Sequence, residues 1–213
     1  MKNSLSDIWK RTLDDKKFMF TLAVSLILLI ALLVVYSNFL LFIESREGIR
    51  LSDAVLKLFQ PVNVTWFTFI ILYVGLIAGI IILLSEPDRF LLAIQAYIIL
   101  ILTRMAAMYL VPLEPPATMI ALKDPLVEIF GTGKLLTKDL FFSGHTATLF
   151  LIFLVVQGRL LKSIFLICTI AVGILVLIQH VHYTIDVYVA PFFAYGSYKI
   201  SEQINGSLLK NGK

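Results

Sequence analysis

The sequence of 213 residues has few charged residues and a single cysteine, and each scarcity excludes a class of protein. Charged residues make up 15% of the chain against 59% hydrophobic residues, which is more apolar surface than a soluble domain of this size can bury. The lone Cys168 cannot form a disulfide within the chain. The net charge is +4, but the basic residues are scattered and lack interleaved aromatic residues, which argues against a nucleic-acid partner. An integral membrane protein is the class that fits.

Long apolar runs are abundant, and they predict the architecture. A hydrocarbon core about 30 Å thick needs roughly 20 apolar residues per helix. Six stretches reach or approach that length, namely 18–43, 64–84, 90–111, 140–157, 160–178 and 183–199. The first is too long for a signal peptide and no small-residue cleavage site follows it, so we expect it to be retained. The sequence therefore predicts an all-α integral membrane protein with six transmembrane helices.

The distribution of Lys and Arg predicts how these spans are oriented. If the spans alternate from a cytoplasmic N-terminus, eleven Lys and Arg residues lie on the cytoplasmic side and six on the other, which favours cytoplasmic termini. Residues 1–17 then form a cytoplasmic amphipathic segment, with a frayed tail as the alternative, 18–200 the six-span domain, and 201–213 a cytoplasmic tail. The connections 44–63 and 112–139 lie outside, and the length of the second indicates a lid or a substrate-framing segment.

Two short polar motifs stand where apolar spans begin on the outer side. Ser143, Gly144 and His145 open the fourth span, and His182 and Asp186 stand four residues apart at the start of the sixth. On a helix this spacing puts His182 and Asp186 on one face, so the carboxylate can hold one ring nitrogen and leave the other to attack phosphorus. His145 is then expected to protonate the leaving oxygen and later to deprotonate the acceptor. The motifs predict a phosphoryl-transfer site.

Neighbouring polar residues are candidates for holding the phosphate. Ser143, Gly144 and the first amides of the fourth span would bind its oxygens, because a helix N-terminus attracts anions. Arg104, near the outer end of the third span, would add a positive charge. Each has an alternative that needs no ligand: Ser143 as a helix N-cap, and Arg104 as a snorkelling charge or an ion pair with Glu114 or Asp139.

The sequence gives little support for a metal site. His180 is two residues before His182 and so falls on a different helical face, which makes it a bystander or a rim residue. The same spacing separates the side chains that a metal would need, and the chain has no HExxH-like set. Asp186 indicates a function all the same, because a carboxylate in a span costs about 2.5–3.5 kcal/mol on insertion scales. We expect neither a metal nor another cofactor.

The motifs resemble those of the PAP2 superfamily of lipid phosphatases and phosphotransferases, whose members pair SGH with a later histidine and an aspartate four residues on. The sphingomyelin synthase-like branch is the more similar, because it has an aspartate before SGHT and a later HYTIDV. Here these are Asp139, Ser143 to Thr146 and His182 to Val187. That branch also has an arginine followed by a proline-rich exit from the third span, which is similar to Arg104 and the stretch 113–116.

Departures from the wider phosphatase group also favour this branch. The arginine that is usual six residues before the later histidine is Val176 here, and the proline that often precedes SGH is Phe142. Against the branch, its cysteine and glycine ahead of the aspartate are replaced by Thr137 and Lys138. Its first proline-rich motif is echoed only loosely, in the stretch 50–53.

The resemblance implies a PAP2-like bundle of six spans with cytoplasmic termini, an exoplasmic active site and a metal-independent mechanism through a phosphohistidine. By matched positions His182 is the nucleophile, Asp186 its orienting partner and His145 the acid and base. Asp139 and Tyr183, which lie in the same motifs, are candidates for binding the substrate.

The implied reaction moves a phosphocholine- or phosphoethanolamine-type headgroup from a phospholipid to a lipid alcohol such as ceramide, a step of sphingolipid metabolism. Hydrolysis of a lipid phosphate by a PAP2-type phosphatase is the alternative, and a non-enzymatic membrane scaffold or carrier is a weaker one. Membrane lipids are the expected partners. The sequence leaves a homo-oligomer open and does not decide which membrane holds the protein.

Overall fold

The structure is a computed structural model that describes residues 5–122 and 136–210. Within these ranges the regular elements are helical, apart from one isolated parallel bridge between Ile49 and Leu113. The helices are α1 Leu5–Leu13, α2 Lys16–Ser45, α3 Thr65–Leu83, α4 Pro87–Leu110, α5 Gly144–Val155, α6 Arg159–Ile178 and α7 Thr184–Lys210, with a 3₁₀ helix at Leu56–Leu58. The all-α class predicted from the sequence is confirmed. Half of the predicted lid, residues 123–135, lies outside the described residues.

Each of the six predicted spans corresponds to one of the helices α2 to α7. Four of these, α2, α3, α4 and α6, are long and apolar enough to cross a membrane, which is the pattern of a membrane protein. Helix α5 has 12 residues, or about 18 Å at 1.5 Å per residue, and is shorter than a hydrocarbon core. Helix α7 has 27 residues but a more mixed composition. The count of six spans therefore stays a prediction.

The short helix α5 lies in the middle of the bundle, in contact with α3, α4, α6 and α7. Its Ala147 and Leu149 are fully buried. Helix α3 approaches it closely at two glycines, because a Cβ added to Gly75 or Gly79 would lie 2.8 Å from Leu149 or Ile152 respectively. Protein surrounds α5 on several sides, so this helix does not need the length that a lipid-exposed span requires.

Helices α2 to α7 alternate in direction, as contacts at both ends show. At one end the amide of Ser143 donates to the carbonyl of Asp186 at 3.1 Å, which joins the starts of α5 and α7. At the same end the amide of Val62, just before α3, donates to Ile178 at the end of α6 at 3.0 Å. We call this the site end of the bundle. At the opposite end the side chain of Ser201 in α7 donates to the carbonyl of Leu92 in α4 at 3.1 Å.

Two loop segments, residues 46–62 and 112–122, cover the site end, and together we call them the cap. The bridge between them is held by the amide of Ile49, which donates to Pro112 at 3.0 Å, and by the amide of Glu114, which donates back to Ile49 at 3.0 Å. The carboxylate of Glu114 pairs with Lys138 at 2.7 Å, and this hydrogen bond lowers the pKa of Glu114. The cap is thereby fastened to the segment that leads into α5.

Both predicted terminal segments are mainly helical where the structure describes them. Helix α1 is anchored by Trp9, whose indole donates to the carbonyl of Leu84 at 2.7 Å and whose ring meets Phe90 edge-on, with centroids 5.9 Å apart. Helix α7 continues beyond residue 200 to Lys210, so much of the predicted tail prolongs it. Residues 1–4 and 211–213 lie outside the described residues. The domain boundaries predicted from the sequence stay predictions.

Candidate active site

His182 and Asp186 form a buried pair at the N-terminus of α7. The Nδ1 atom of His182 lies 3.2 Å from Oδ2 of Asp186, and the two side chains are 2% and 0% exposed. The same carboxylate oxygen accepts the amide of Tyr183 at 3.1 Å. One oxygen thus orients the ring and closes the first turn of the helix, while the other, Oδ1, has no hydrogen-bond partner among the described residues. This arrangement leaves Nε2 of His182 as the ring nitrogen available for chemistry.

The turn that delivers His182 follows from the way α6 ends. The amides of His180 and Val181 donate to the carbonyls of Leu177 and Val176, each at 2.9 Å, which is the Schellman pattern of a helix C-terminus. His180 takes the left-handed position of that motif with a φ of 56°, where glycine is usual. The chain therefore leaves α6 at once and reaches His182 immediately before α7 begins.

His145 is the second residue of α5 and faces His182 across the site. The two ring centroids lie 6.2 Å apart, with their planes at 68°. The ring of Phe69 on α3 also lies 6.2 Å from that of His145. The structure therefore brings together the three residues that the sequence assigned to catalysis.

Ser143 acts as the N-cap of α5. Its hydroxyl oxygen accepts the amide of Thr146 at 3.4 Å and the hydroxyl of Thr146 at 3.1 Å, and its side chain is fully buried. The N-cap alternative therefore accounts for this serine without a ligand. The amide of Gly144 belongs to the first turn, whose amides have no acceptor within the helix, so this helix end can still attract an anion through its backbone.

Arg104 and Asp139, both predicted to lie near the phosphate, pair with each other. Their closest atoms, Nη2 and Oδ1, are 2.8 Å apart. The guanidinium also donates from Nε to the carbonyl of Phe142 at 2.9 Å and from Nη1 to the hydroxyl of Tyr36. It packs directly against Gly144, where an added Cβ would lie 2.8 Å from Cζ. These contacts favour the ion-pair alternative for Arg104, and they hold its guanidinium against the first residue of α5.

Tyr183, another predicted substrate ligand, joins the two segments of the cap. Its hydroxyl donates to the carbonyl of Glu114 at 2.8 Å and accepts the amide of Leu51 at 3.1 Å. The side chain is buried. The structure therefore directs this hydroxyl toward the cap loops, while the backbone of the same residue contacts Asp186.

Asp53, in the cap, is a site residue that the sequence analysis did not identify. Its carboxylate accepts the amide of Thr184 at 2.6 Å and the hydroxyl of Thr184 at 3.0 Å. Partial burial raises the pKa of Asp53, but hydrogen bonds from Thr184, Leu56 and Val55 outweigh it, so the net pKa is lowered. The only sequence signal was the loose echo of a family motif in the stretch 50–53, which does not identify a partner far along the chain.

His180 is buried beneath the cap, whereas the sequence analysis expected a bystander or a rim residue. Its Nδ1 atom lies 2.6 Å from the hydroxyl of Thr118, and Phe59 meets its ring edge-on with centroids 5.1 Å apart. Burial lowers the pKa of His180, and the negative charge of Asp53 offsets part of this effect. Over the described ranges, three or more His, Cys, Asp or Glu side chains do not cluster as metal ligands would.

Comparison with known families gives one match. Residues 138–203 match the family model described as PAP2 superfamily C-terminal. The matched stretch contains His145, His182 and Asp186, and the match supports membership of the chain in the PAP2 superfamily. A phosphatase or phosphotransferase acting on lipids is the activity that such membership suggests. No curated protein matches the chain.

Proposed function

We propose that this protein is a membrane lipid phosphotransferase that moves a phosphate-linked headgroup, of phosphocholine or phosphoethanolamine type, from a phospholipid to a lipid alcohol such as ceramide. The observation that carries the proposal is the placement of the imidazoles of His145 and His182, with ring centroids 6.2 Å apart and Asp186 on Nδ1 of His182. The match to the PAP2 superfamily supports phosphoryl chemistry in general, and the choice of headgroup transfer is ours.

In the first half-reaction the lone pair of Nε2 on His182 attacks the phosphorus of the donor lipid. The bond between phosphorus and the diacylglycerol oxygen breaks, and this oxygen takes a proton from protonated His145. The Nδ1 proton of His182 stays hydrogen-bonded to Asp186, whose negative charge stabilises the ring as it bonds to phosphorus. The products are diacylglycerol and a headgroup phosphate bound covalently to His182.

In the second half-reaction neutral His145 takes the proton of the acceptor hydroxyl, and the resulting oxygen attacks phosphorus. The bond between phosphorus and Nε2 breaks and its electron pair returns to His182. The backbone amides at the start of α5, next to Gly144, would stabilise the phosphate oxygens in both steps, since a helix N-terminus favours negative charge. His145 ends protonated, ready for the next donor.

Burial of the site supports transfer over hydrolysis. His182 is 1% exposed and Asp186 is fully buried, so bulk water has little access to the proposed phosphohistidine. Val176, which stands where the wider phosphatase group usually has an arginine, is packed in the apolar core and adds no charge to the site. We propose that a lipid hydroxyl which occupies the site in place of water is the acceptor.

The proposal also fixes an orientation. We propose that the termini lie in the cytoplasm and that the site end and the cap face the exoplasmic side, which the larger number of Lys and Arg residues on the opposite side supports. The substrates are lipids of that leaflet, and the proposed mechanism uses no metal and no other cofactor.

The test supplies purified protein with labelled phosphatidylcholine or phosphatidylethanolamine, with ceramide, with diacylglycerol or with no acceptor, and identifies the products by mass. We expect the headgroup phosphate on ceramide, and a labelled protein intermediate that is stable in alkali and lost in acid. His182→Ala should abolish both signals. His180→Asn, which removes a histidine outside the pair, is the matched control and should retain both at neutral pH.

Two outcomes would contradict this proposal. Release of free phosphate or of free headgroup phosphate at the same rate with and without acceptor would make the protein a hydrolase. Full turnover by His182→Ala would exclude the phosphohistidine.

A further inference from the structure

Helix α7, which carries Asp186, begins after a residue whose side chain does not serve as an N-cap. The residue before it is Tyr183, whose ring cannot accept the amides of the first turn as Ser, Thr, Asp or Asn would. Asp53, in a distant loop, accepts the first amide of α7 instead, that of Thr184. We propose that Asp53 is a positioning residue for the pair of His182 and Asp186, and that the cap shapes the catalytic site through this carboxylate. The inference rests on the proposed function.

The Asp53 carboxylate caps the starts of two helices, the 3₁₀ helix at Leu56–Leu58 and α7. Within its own loop, Oδ1 accepts the amides of Val55 at 2.9 Å and Leu56 at 3.3 Å, which starts the 3₁₀ helix. Across the fold, Oδ1 also accepts the hydroxyl of Thr184 at 3.0 Å, and Oδ2 accepts the amide of Thr184 at 2.6 Å. Because both oxygens are engaged, the loop and the first residue of α7 cannot move independently.

The turn that Asp53 holds is the turn that shapes the catalytic pair. The amide of Asp186 donates to the carbonyl of Tyr183 at 3.0 Å, and the carboxylate of Asp186 accepts the amide of Tyr183 at 3.1 Å. Thr184 lies between these two residues, so its capped amide fixes the turn around which both bonds close. If this turn frays, the carboxylate of Asp186 loses the backbone donor that orients it, and His182 loses its fixed ring position.

The charge of Asp53 suits this role. A carboxylate at a helix N-terminus is stabilised by the partial positive charge there, and the four hydrogen bonds favour its ionised form. A displacement of about 1 Å at a reacting group is enough to slow chemistry about a hundredfold, whereas binding of the remainder of a substrate is little affected. Loss of Asp53 should therefore act on turnover more than on substrate affinity.

The test measures kcat and KM of Asp53→Ala and Asp53→Asn with the purified full-length protein in vesicles of phosphatidylcholine containing ceramide. We expect kcat of Asp53→Ala to fall about 10- to 100-fold with KM within about threefold. Asp53→Asn keeps one acceptor oxygen and should recover part of the loss. Asp15→Ala is the matched control, because Asp15 caps α2 at the opposite end by accepting the amides of Lys17 at 2.9 Å and Phe18 at 3.4 Å. Its kcat should stay within about twofold of the parent.

Thr184→Val tests the same contact from the other side if Asp53→Ala does not fold. It removes only the hydroxyl bond and should lower kcat about 3- to 10-fold with KM unchanged. The inference is overturned if folded Asp53→Ala keeps its kcat, if kcat and KM change in proportion, or if Asp15→Ala loses as much activity. Its failure differs from failure of the proposed function, because His182→Ala would then still be inactive while the Asp53 variants turn over normally.

Discussion

One carboxylate oxygen of Asp186 contacts both a ring nitrogen of His182 and the backbone amide of Tyr183. A substitution that removes the charge but keeps an acceptor oxygen can therefore separate the electrostatic role of Asp186 from its structural role. In Asp186→Asn the side chain keeps its size and one acceptor oxygen, which can still close the first turn of α7. It has no charge to stabilise an imidazolium and can hold the wrong tautomer. We expect kcat to fall about 10³- to 10⁴-fold, with the helix content and unfolding temperature nearly those of the parent.

The measurement for Asp186→Asn is turnover of labelled phospholipid together with circular dichroism during heating. Asp186→Ala should be as inactive and also less stable, because it leaves the amide of Tyr183 without its acceptor. A turnover of Asp186→Asn close to that of the parent would contradict the orienting role.

At Gly144 the lack of room for a side chain determines the effect of a substitution. A Cβ there would lie 2.8 Å from Cζ of Arg104, so Gly144→Ala must shift the guanidinium, which donates to the carbonyl of Phe142. We expect a loss of about 1–3 kcal/mol in the free energy of unfolding, with lower activity because the start of α5 shifts. Gly196→Ala, in open space on α7, is the control and should be neutral or slightly stabilising. Equal unfolding temperatures for the two variants would show that the guanidinium yields without cost.

At the scale of elements, the turn between α6 and α7 makes stability depend on pH through His180. Burial lowers the pKa of His180 in the folded protein, so the unfolded chain binds a proton more readily. Stability should therefore fall as pH drops below the ordinary histidine pKa of about 6.5, and the loss should be complete once pH passes the lowered pKa.

Thermal unfolding of the detergent-purified protein between about pH 7.5 and about pH 5 measures this dependence, which spans the histidine range. His180→Asn should flatten the curve, since asparagine tolerates the left-handed backbone and does not titrate. If the parent and His180→Asn lose stability in parallel, another group is responsible.

The element boundaries show how far the sequence could predict the fold. Apolar length located α2, α3, α4 and α6, because a lipid-facing helix must be uniformly apolar. Helix α5 begins later than the predicted stretch 140–157, because Ser143 caps the helix and Phe142 instead stacks on Phe193 with ring centroids 4.3 Å apart. Helix α7 extends beyond the predicted stretch 183–199, and its polar end packs on α4, where Ser201 donates to the carbonyl of Leu92.

The candidate site likewise contains one contact that the sequence predicted and others that it did not. In the structure His182 lies in the turn before α7, and not on the helical face that the sequence analysis assumed, yet it contacts Asp186. The motif spacing therefore predicted this contact, although for a different local geometry. It did not determine that Arg104 would pair with Asp139 and not with Glu114, nor that Asp53 would cap α7. Such pairings join residues far apart in the chain, and a charge in an apolar run indicates only that a partner is needed.

At the scale of the whole molecule, the two ends of the bundle should be distinguishable from outside the cell or vesicle. Lys57 lies in the cap and Lys10 in α1, and both are exposed. In a Cys168→Ser background, we expect a membrane-impermeant thiol reagent to label Lys57→Cys in intact cells, and Lys10→Cys only after permeabilisation. The reverse pattern would place the site end in the cytoplasm.

The contact between the amide of Ser143 and the carbonyl of Asp186 has a consequence for biosynthesis. The ribosome releases Asp53 first, His145 later, and the residues of α7 last. A nascent chain that already carries its N-terminal helices in the bilayer therefore has neither His182, the proposed nucleophile, nor the turn that orients it. In the proposed mechanism the site is complete only when α7 has docked, so a chain that has not yet reached α7 would not attack the lipids into which it is being inserted.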